Sequence, residues 1–75
     1  MKVMKLVADI LKMHIEEISD DLSMKDVEVW NSLKHMELVV SIEEVFGIEL
    51  TFDEIVAMLT VRGIKEVLIG RGFGV

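Results

Sequence analysis

No cysteine occurs anywhere in these 75 residues, and no proline. A chain this short buries only about 60–65% of its unfolded surface. Without disulfides or thiolate-bound metal, one hydrophobic core has to hold it together. At the usual per-residue rate that core leaves about 4–11 kcal/mol of net stability. The chain is 52% hydrophobic, so the apolar side chains for such a core are present. One domain over residues 1–75 is expected. A chain of this size is too small to wall the deep cleft of a self-contained enzyme. No apolar run approaches the length of a membrane span. The start, MKVMKLVADILKMH, mixes Lys, Asp and His into its apolar pattern and does not read as a signal peptide. A cytoplasmic protein is expected.

The apolar spacing is helical. Val3, Leu6, Val7, Ile10 and Leu11 share one face of a helix from about Lys2 to His14. From Ile15 to Trp30 the period is lost, and a long loop with a few buried anchors is expected. Asn31 then stands at an N-cap, with Ser32 as the first helical residue. A central helix from Ser32 to Phe46 follows, with a wide apolar face in which Leu33, Met36 and Val40 form one stripe, Leu38, Ile42 and Val45 a second, and Leu33 and Met36 turn inward; Gly47 is its stop. Thr51 and Glu54 form a capping box for a short helix, Phe52 to about Met58. Thr60 caps a last helix to about Ile69, in which Gly63 costs roughly 1 kcal/mol relative to Ala. Residues 70–75, GRGFGV, read as a flexible tail. The fold class is all-α: a small four-helix bundle of three main helices and one short one, with a long first loop.

Charge narrows the partners. Of 14 acidic residues, 12 lie between Glu16 and Glu54, where the only cations are Lys25 and Lys34. An acidic middle repels nucleic acid and anionic membranes and favours basic protein partners. It equally serves as a plain solvated surface. Ser32 and His35 share a helix face, but no nucleophile elbow or oxyanion donors accompany them, so no catalytic residue is assigned. His35 is read as a surface residue. Two histidines and an acidic loop without calcium-loop spacing give no metal site. What remains is Ser32, an exposed hydroxyl beside the amides and positive dipole end of an acidic helix. That place favours a phosphate ester, while by spacing alone a serine that only helps start the helix is the simpler reading.

The run VWNSLKHMELVVSIEEVFGIEL resembles the core of the acyl carrier protein family. The family's Asp-Ser-Leu motif corresponds to Asn31-Ser32-Leu33, and its acidic helix to the stretch from Glu37-Leu38 through Glu43-Glu44-Val45-Phe46. The segment TFDEIVAMLTVRGIKEVL resembles the family's third and fourth helices, and the likeness extends from about Val3 to Leu68. The resemblance implies 4′-phosphopantetheine on Ser32, placed there by a phosphopantetheinyl transferase, with Asn31 and Leu33 flanking the attachment. The protein would be a monomeric shuttle for acyl thioesters and not an enzyme. It would serve a fatty acid, polyketide or specialised pathway.

The implied partners are acyl-activating, acyltransferase or ketosynthase-type enzymes with basic docking surfaces. They would meet Glu37, Glu43 and Glu44, together with Lys34 and Met36. Met36, Val40, Ile48, Leu50, Ile55 and Met58 are candidates for an acyl crevice, or for ordinary core packing. An aminoacyl or peptidyl carrier, and an unmodified helical adaptor, are the rival readings. Two departures stand out. Asn31 replaces the usual Asp, removing a charge a transferase would meet, and Lys34-His35 dilutes the acidic surface beside the arm.

Overall fold

The computed structural model describes residues 2–74, Lys2 by its backbone alone. Its helices are α1 (Lys2–Leu11), α2 (Ser32–Phe46), α3 (Phe52–Ala57) and α4 (Val61–Gly70). Two 3-10 turns, Ile15–Glu17 and Met24–Asp26, punctuate the long first connection. Among the described residues there is no strand, only one isolated antiparallel bridge between Ser23 and Thr60. The all-α, four-helix expectation holds.

α1 stops three residues short of the expected His14. Lys12 enters the left-handed region at φ 59°, and the Met13 amide folds back onto the Ala8 carbonyl at 3.0 Å. That closes the helix end in the manner usually left to glycine. His14 then caps the first 3-10 turn, its amide donating to Glu17 Oε1 at 3.0 Å. α1 contributes Val3, Val7, Ala8 and Leu11 to the core, with Leu6 and Ile10 half-buried.

The first connection is stitched to the α3–α4 corner. The Met24 amide donates to Leu59 O (2.9 Å), Val61 N to Leu22 O (3.0 Å) and Arg62 N to Asp20 O (2.9 Å). Lys65 pairs with Asp20 and holds its carboxyl below the usual carboxylate range. Ile18 and Trp30 are the loop's buried anchors. The N-caps at Asn31, Thr51 and Thr60 all form, with the reciprocal Thr51–Glu54 bonds at 3.1 and 2.9 Å. Gly47 ends α2 at φ 65°.

Leu38, Val39 and Ile42 of α2 and Val61, Ile64 and Leu68 of α4 join the α1 residues in one core cluster, in which α1 packs against both helices and Met58 is also fully buried. Leu33, Met36 and Val40 do not turn inward: they are 70%, 50% and 48% exposed. α2 carries two apolar stripes, and the bundle has room to bury one. The buried stripe is the one that includes His35, whose ring finds hydrogen-bond partners inside that offset the cost of burying it.

The expected tail also carries contacts. Arg71 grips the Glu54 carboxylate with Nε and Nη2, and Nη2 donates to Glu49 O. Phe73 lies edge-on to Phe46 with ring centroids 4.9 Å apart. Val75 lies outside the described residues. The Arg71 guanidinium, and next the Thr51 amide, hold the Glu54 carboxyl down from its ordinary 4.5 to about 2. A depressed carboxyl stabilises the fold above its unfolded value and loses that contribution as pH falls through the folded one. Between about pH 4.5 and 2, the ring-current shifts of Phe46 and Phe73 should collapse before global unfolding. In Arg71→Ala the same shifts should already be absent at neutral pH. Ring-current shifts unchanged in Arg71→Ala would refute the coupling of the two contacts.

Candidate functional site at the start of the central helix

Asn31 adopts an extended backbone, φ −96° and ψ −176°, and its Oδ1 accepts from the Lys34 amide at 2.9 Å. Helix α2 therefore starts sharply at Ser32. Ser32 is exposed, and the amides of Ser32 and Leu33 have no acceptor within the described chain. A hydroxyl beside two free helical amides at a dipole's positive end suits a phosphodiester, which brings only acceptor oxygens and negative charge. The residues present fit such a group.

The stripe expected inside instead forms an outward surface beside Ser32. Leu33, Met36 and Val40 line an open groove of about 570 Å³ against Ile10 of α1 and Lys12 just beyond its end. Lys34 pairs with Glu37 at 3.1 Å on its rim. Glu44 is exposed further along. Glu43 is placed differently: its Oε2 accepts from the Leu50 amide at 2.9 Å, bracing the connection to α3. The six crevice candidates do not come together. Met36 and Val40 face the groove, Ile48, Leu50 and Ile55 are half-buried, and Met58 is sealed in the core.

His35 is not a surface residue but 5% exposed. Indole nitrogen only donates, so Trp30 Nε1–H, 3.1 Å away, makes His35 Nδ1 an acceptor. The ring proton is then on Nε2, which donates to Ile55 O of α3 at 3.0 Å. This relay fixes the neutral tautomer and ties the approach to Ser32, the central helix and α3 together. Sequence spacing missed it. The available signal was an aromatic immediately before an N-cap, five residues from a histidine. Among the described residues, no three His, Cys, Asp or Glu side chains gather to hold a metal ion. No described helix is long and apolar enough to cross a membrane.

Comparison with known proteins agrees with this geometry. Residues 2–68 match the family model described as the phosphopantetheine attachment site. The chain is also similar to "Polyketide-8 synthase acyl carrier protein 2" of Streptomyces avermitilis, 32% identical over 68 residues. That match covers 89% of this chain and 77% of the relative. An exposed hydroxyl at a helix start, in a four-helix chain matched almost end to end, places it: the chain belongs to the acyl carrier protein family, whose members bear covalent 4′-phosphopantetheine.

Proposed function

We propose that Ser32 bears the phosphopantetheine and that the chain shuttles acyl intermediates as thioesters between the enzymes of a polyketide-type pathway. The observation that carries this is the exposed Ser32 hydroxyl beside free first-turn amides, inside a chain matched over residues 2–68. The pathway follows the relative, which is named for a polyketide synthase. The prosthetic group supplies a thiol on a flexible arm, which a chain without cysteine otherwise lacks. In the loading reaction the Ser32 oxygen forms a bond to phosphorus of coenzyme A. The bond to the nucleotide phosphate breaks, and the hydroxyl proton leaves.

The chain's own work is presentation. Asn31 fixes the helix start, and the Ser32 and Leu33 amides steady the phosphate. Leu33, Met36 and Val40 give partner enzymes an apolar footing, with Glu37 and Glu44 offering charge to basic docking surfaces. Glu43 serves mainly as a brace, since Leu50 already holds its carboxylate.

Incubation with coenzyme A, magnesium and a broad-specificity phosphopantetheinyl transferase should add one phosphopantetheinyl mass to wild type and nothing to Ser32→Ala. Equal gain in both would move the attachment elsewhere. No gain in either, with a transferase active on other carriers, would favour the unmodified adaptor. Asn31→Asp should leave stability unchanged, since both residues cap equally well. It should raise the loading rate about threefold by restoring charge at the docking point. Equal loading rates would show that the transferase does not read that charge.

A further inference from the structure

We propose that Trp30 and His35 are positioning residues for the loading of Ser32: their side-chain bond clamps the first turn of α2 and sets where the hydroxyl is presented. The inference rests on the carrier reading above and adds to that site two residues that act without touching the incoming group.

Ser32 does little to place itself. It is exposed, and its amide and that of Leu33 have no acceptor within the described chain. The segment before it turns tightly, with Trp30 N donating to Val27 O and Asn31 N to Val29 O, each at 3.0 Å. Both bonds lie upstream of the helix, so they shape the turn without fixing its angle to α2. The Asn31 side chain crosses that junction to the Lys34 amide, but at an exposed site. A hydrogen bond open to water is a modest restraint on its own.

The second joint is buried. Trp30 stands two residues before Ser32 and His35 three after it, and Trp30 Nε1–H donates to His35 Nδ1 at 3.1 Å. The bond closes a ring of chain around Asn31, Ser32, Leu33 and Lys34. Both ends of the clamp are anchored. Trp30 is 1% exposed and His35 5%, and His35 Nε2 donates to Ile55 O of α3 at 3.0 Å. Side chains this buried offer a transferase almost nothing to touch, so their effect passes through the backbone between them. A helix start that wanders would present the hydroxyl at a varying distance from the phosphorus of coenzyme A. A misplacement of about 1 Å at a reacting atom can cost roughly a hundredfold in rate.

The test compares loading kinetics of wild type, Trp30→Phe, His35→Leu, His35→Asn and Val3→Ala, with coenzyme A, magnesium and a phosphopantetheinyl transferase. It is run at a temperature where circular dichroism shows each fully folded. Trp30→Phe and His35→Leu should lose roughly tenfold in kcat with KM for the carrier within about twofold, because the docking face stays and the reacting atom moves. His35→Asn places Oδ1 where Nδ1 stood and accepts from the indole again. It should recover most of the lost kcat even though it gives up the bond to Ile55. Val3→Ala thins the fully buried core on α1 and should load like wild type. Unchanged kcat in both clamp variants, a loss shared by Val3→Ala, or His35→Asn as slow as His35→Leu would overturn the proposal. Failure of wild type to load would instead strike the carrier reading. The clamp is then judged by amide relaxation. Backbone order parameters at Asn31, Ser32 and Leu33 should fall in Trp30→Phe and His35→Leu and hold in His35→Asn and Val3→Ala. Equal values in all five proteins would end it.

Discussion

Trp30→Ala should cost ~3–5 kcal/mol and bring the fold close to its unfolding limit. The side chain is 1% exposed and is the largest of the fully buried ones. Truncation would forfeit its apolar contacts and leave a void at the point where the first connection, α2 and α3 meet. It would also leave His35 Nδ1 without its donor. With only about 4–11 kcal/mol to draw on, the variant should show a urea midpoint reduced by roughly a quarter or more, read by circular dichroism. Trp30→Phe separates the two contributions. It keeps much of the contact area but leaves a buried imidazole acceptor unpaired, for about 1–3 kcal/mol. His35→Leu does the reverse, stranding the indole N–H. Because each single change orphans the other partner, Trp30→Phe with His35→Leu should cost less than the sum of the singles. Simple additivity would show that the 3.1 Å contact contributes nothing of its own.

That relay also marks the boundary of what the sequence reveals. α2 was legible to the residue, Ser32–Phe46, because an N-cap and a left-handed glycine bracket it with local chemistry. The capping box at Thr51 and the cap at Thr60 were legible for the same reason: each bond spans three residues. The family likeness located Ser32, and its exposure follows from being the first residue after a cap. What could not be read was which of α2's two apolar stripes faces in. Leu33-Met36-Val40 and Leu38-Val39-Ile42 have equally good helical spacing, so periodicity does not choose between them. The buried stripe is the one that carries His35, whose donor partner Trp30 lies 5 residues upstream and whose acceptor partner, the Ile55 carbonyl, lies 20 downstream. The consequence is functional. The stripe expected to line an interior crevice becomes the surface beside Ser32. Under the proposed function Met36 keeps only the partner-binding half of its expected role, and Val40 joins it there. Arg71 is a second instance, since it reaches 17 and 22 residues back to Glu54 and Glu49. A terminal Gly-Arg-Gly-Phe-Gly run offers no local sign of such a reach.

Gly63→Ala distinguishes local from tertiary control by the sign of its effect. Helix propensity alone makes alanine better by about 1 kcal/mol at a helical glycine. The structure demands the opposite. A Cβ on Gly63 would lie 2.0 Å from the Ala57 carbonyl oxygen and 3.2 Å from the Ala57 carbonyl carbon. These are backbone atoms of α3's last residue, so no side-chain rotation relieves the clash. The requirement is one of close approach, since no left-handed backbone is recorded at Gly63. To accommodate the methyl, α3 and the first turn of α4 would have to separate, and the Gly63 amide would strain against its 2.9 Å bond to Thr60 Oγ1. The expected cost is ~1–3 kcal/mol in urea unfolding, the range for overpacking a tight contact. Gly70→Ala is the matched control, because a Cβ there meets nothing within 4 Å. It should be neutral or slightly stabilising. The displacement should also be felt at Leu59, two residues beyond Ala57, whose carbonyl holds the Met24 amide. Amide exchange at Met24 should therefore speed up in Gly63→Ala and stay unchanged in Gly70→Ala. A Gly63→Ala variant more stable than wild type would mean that the α3–α4 corner yields freely.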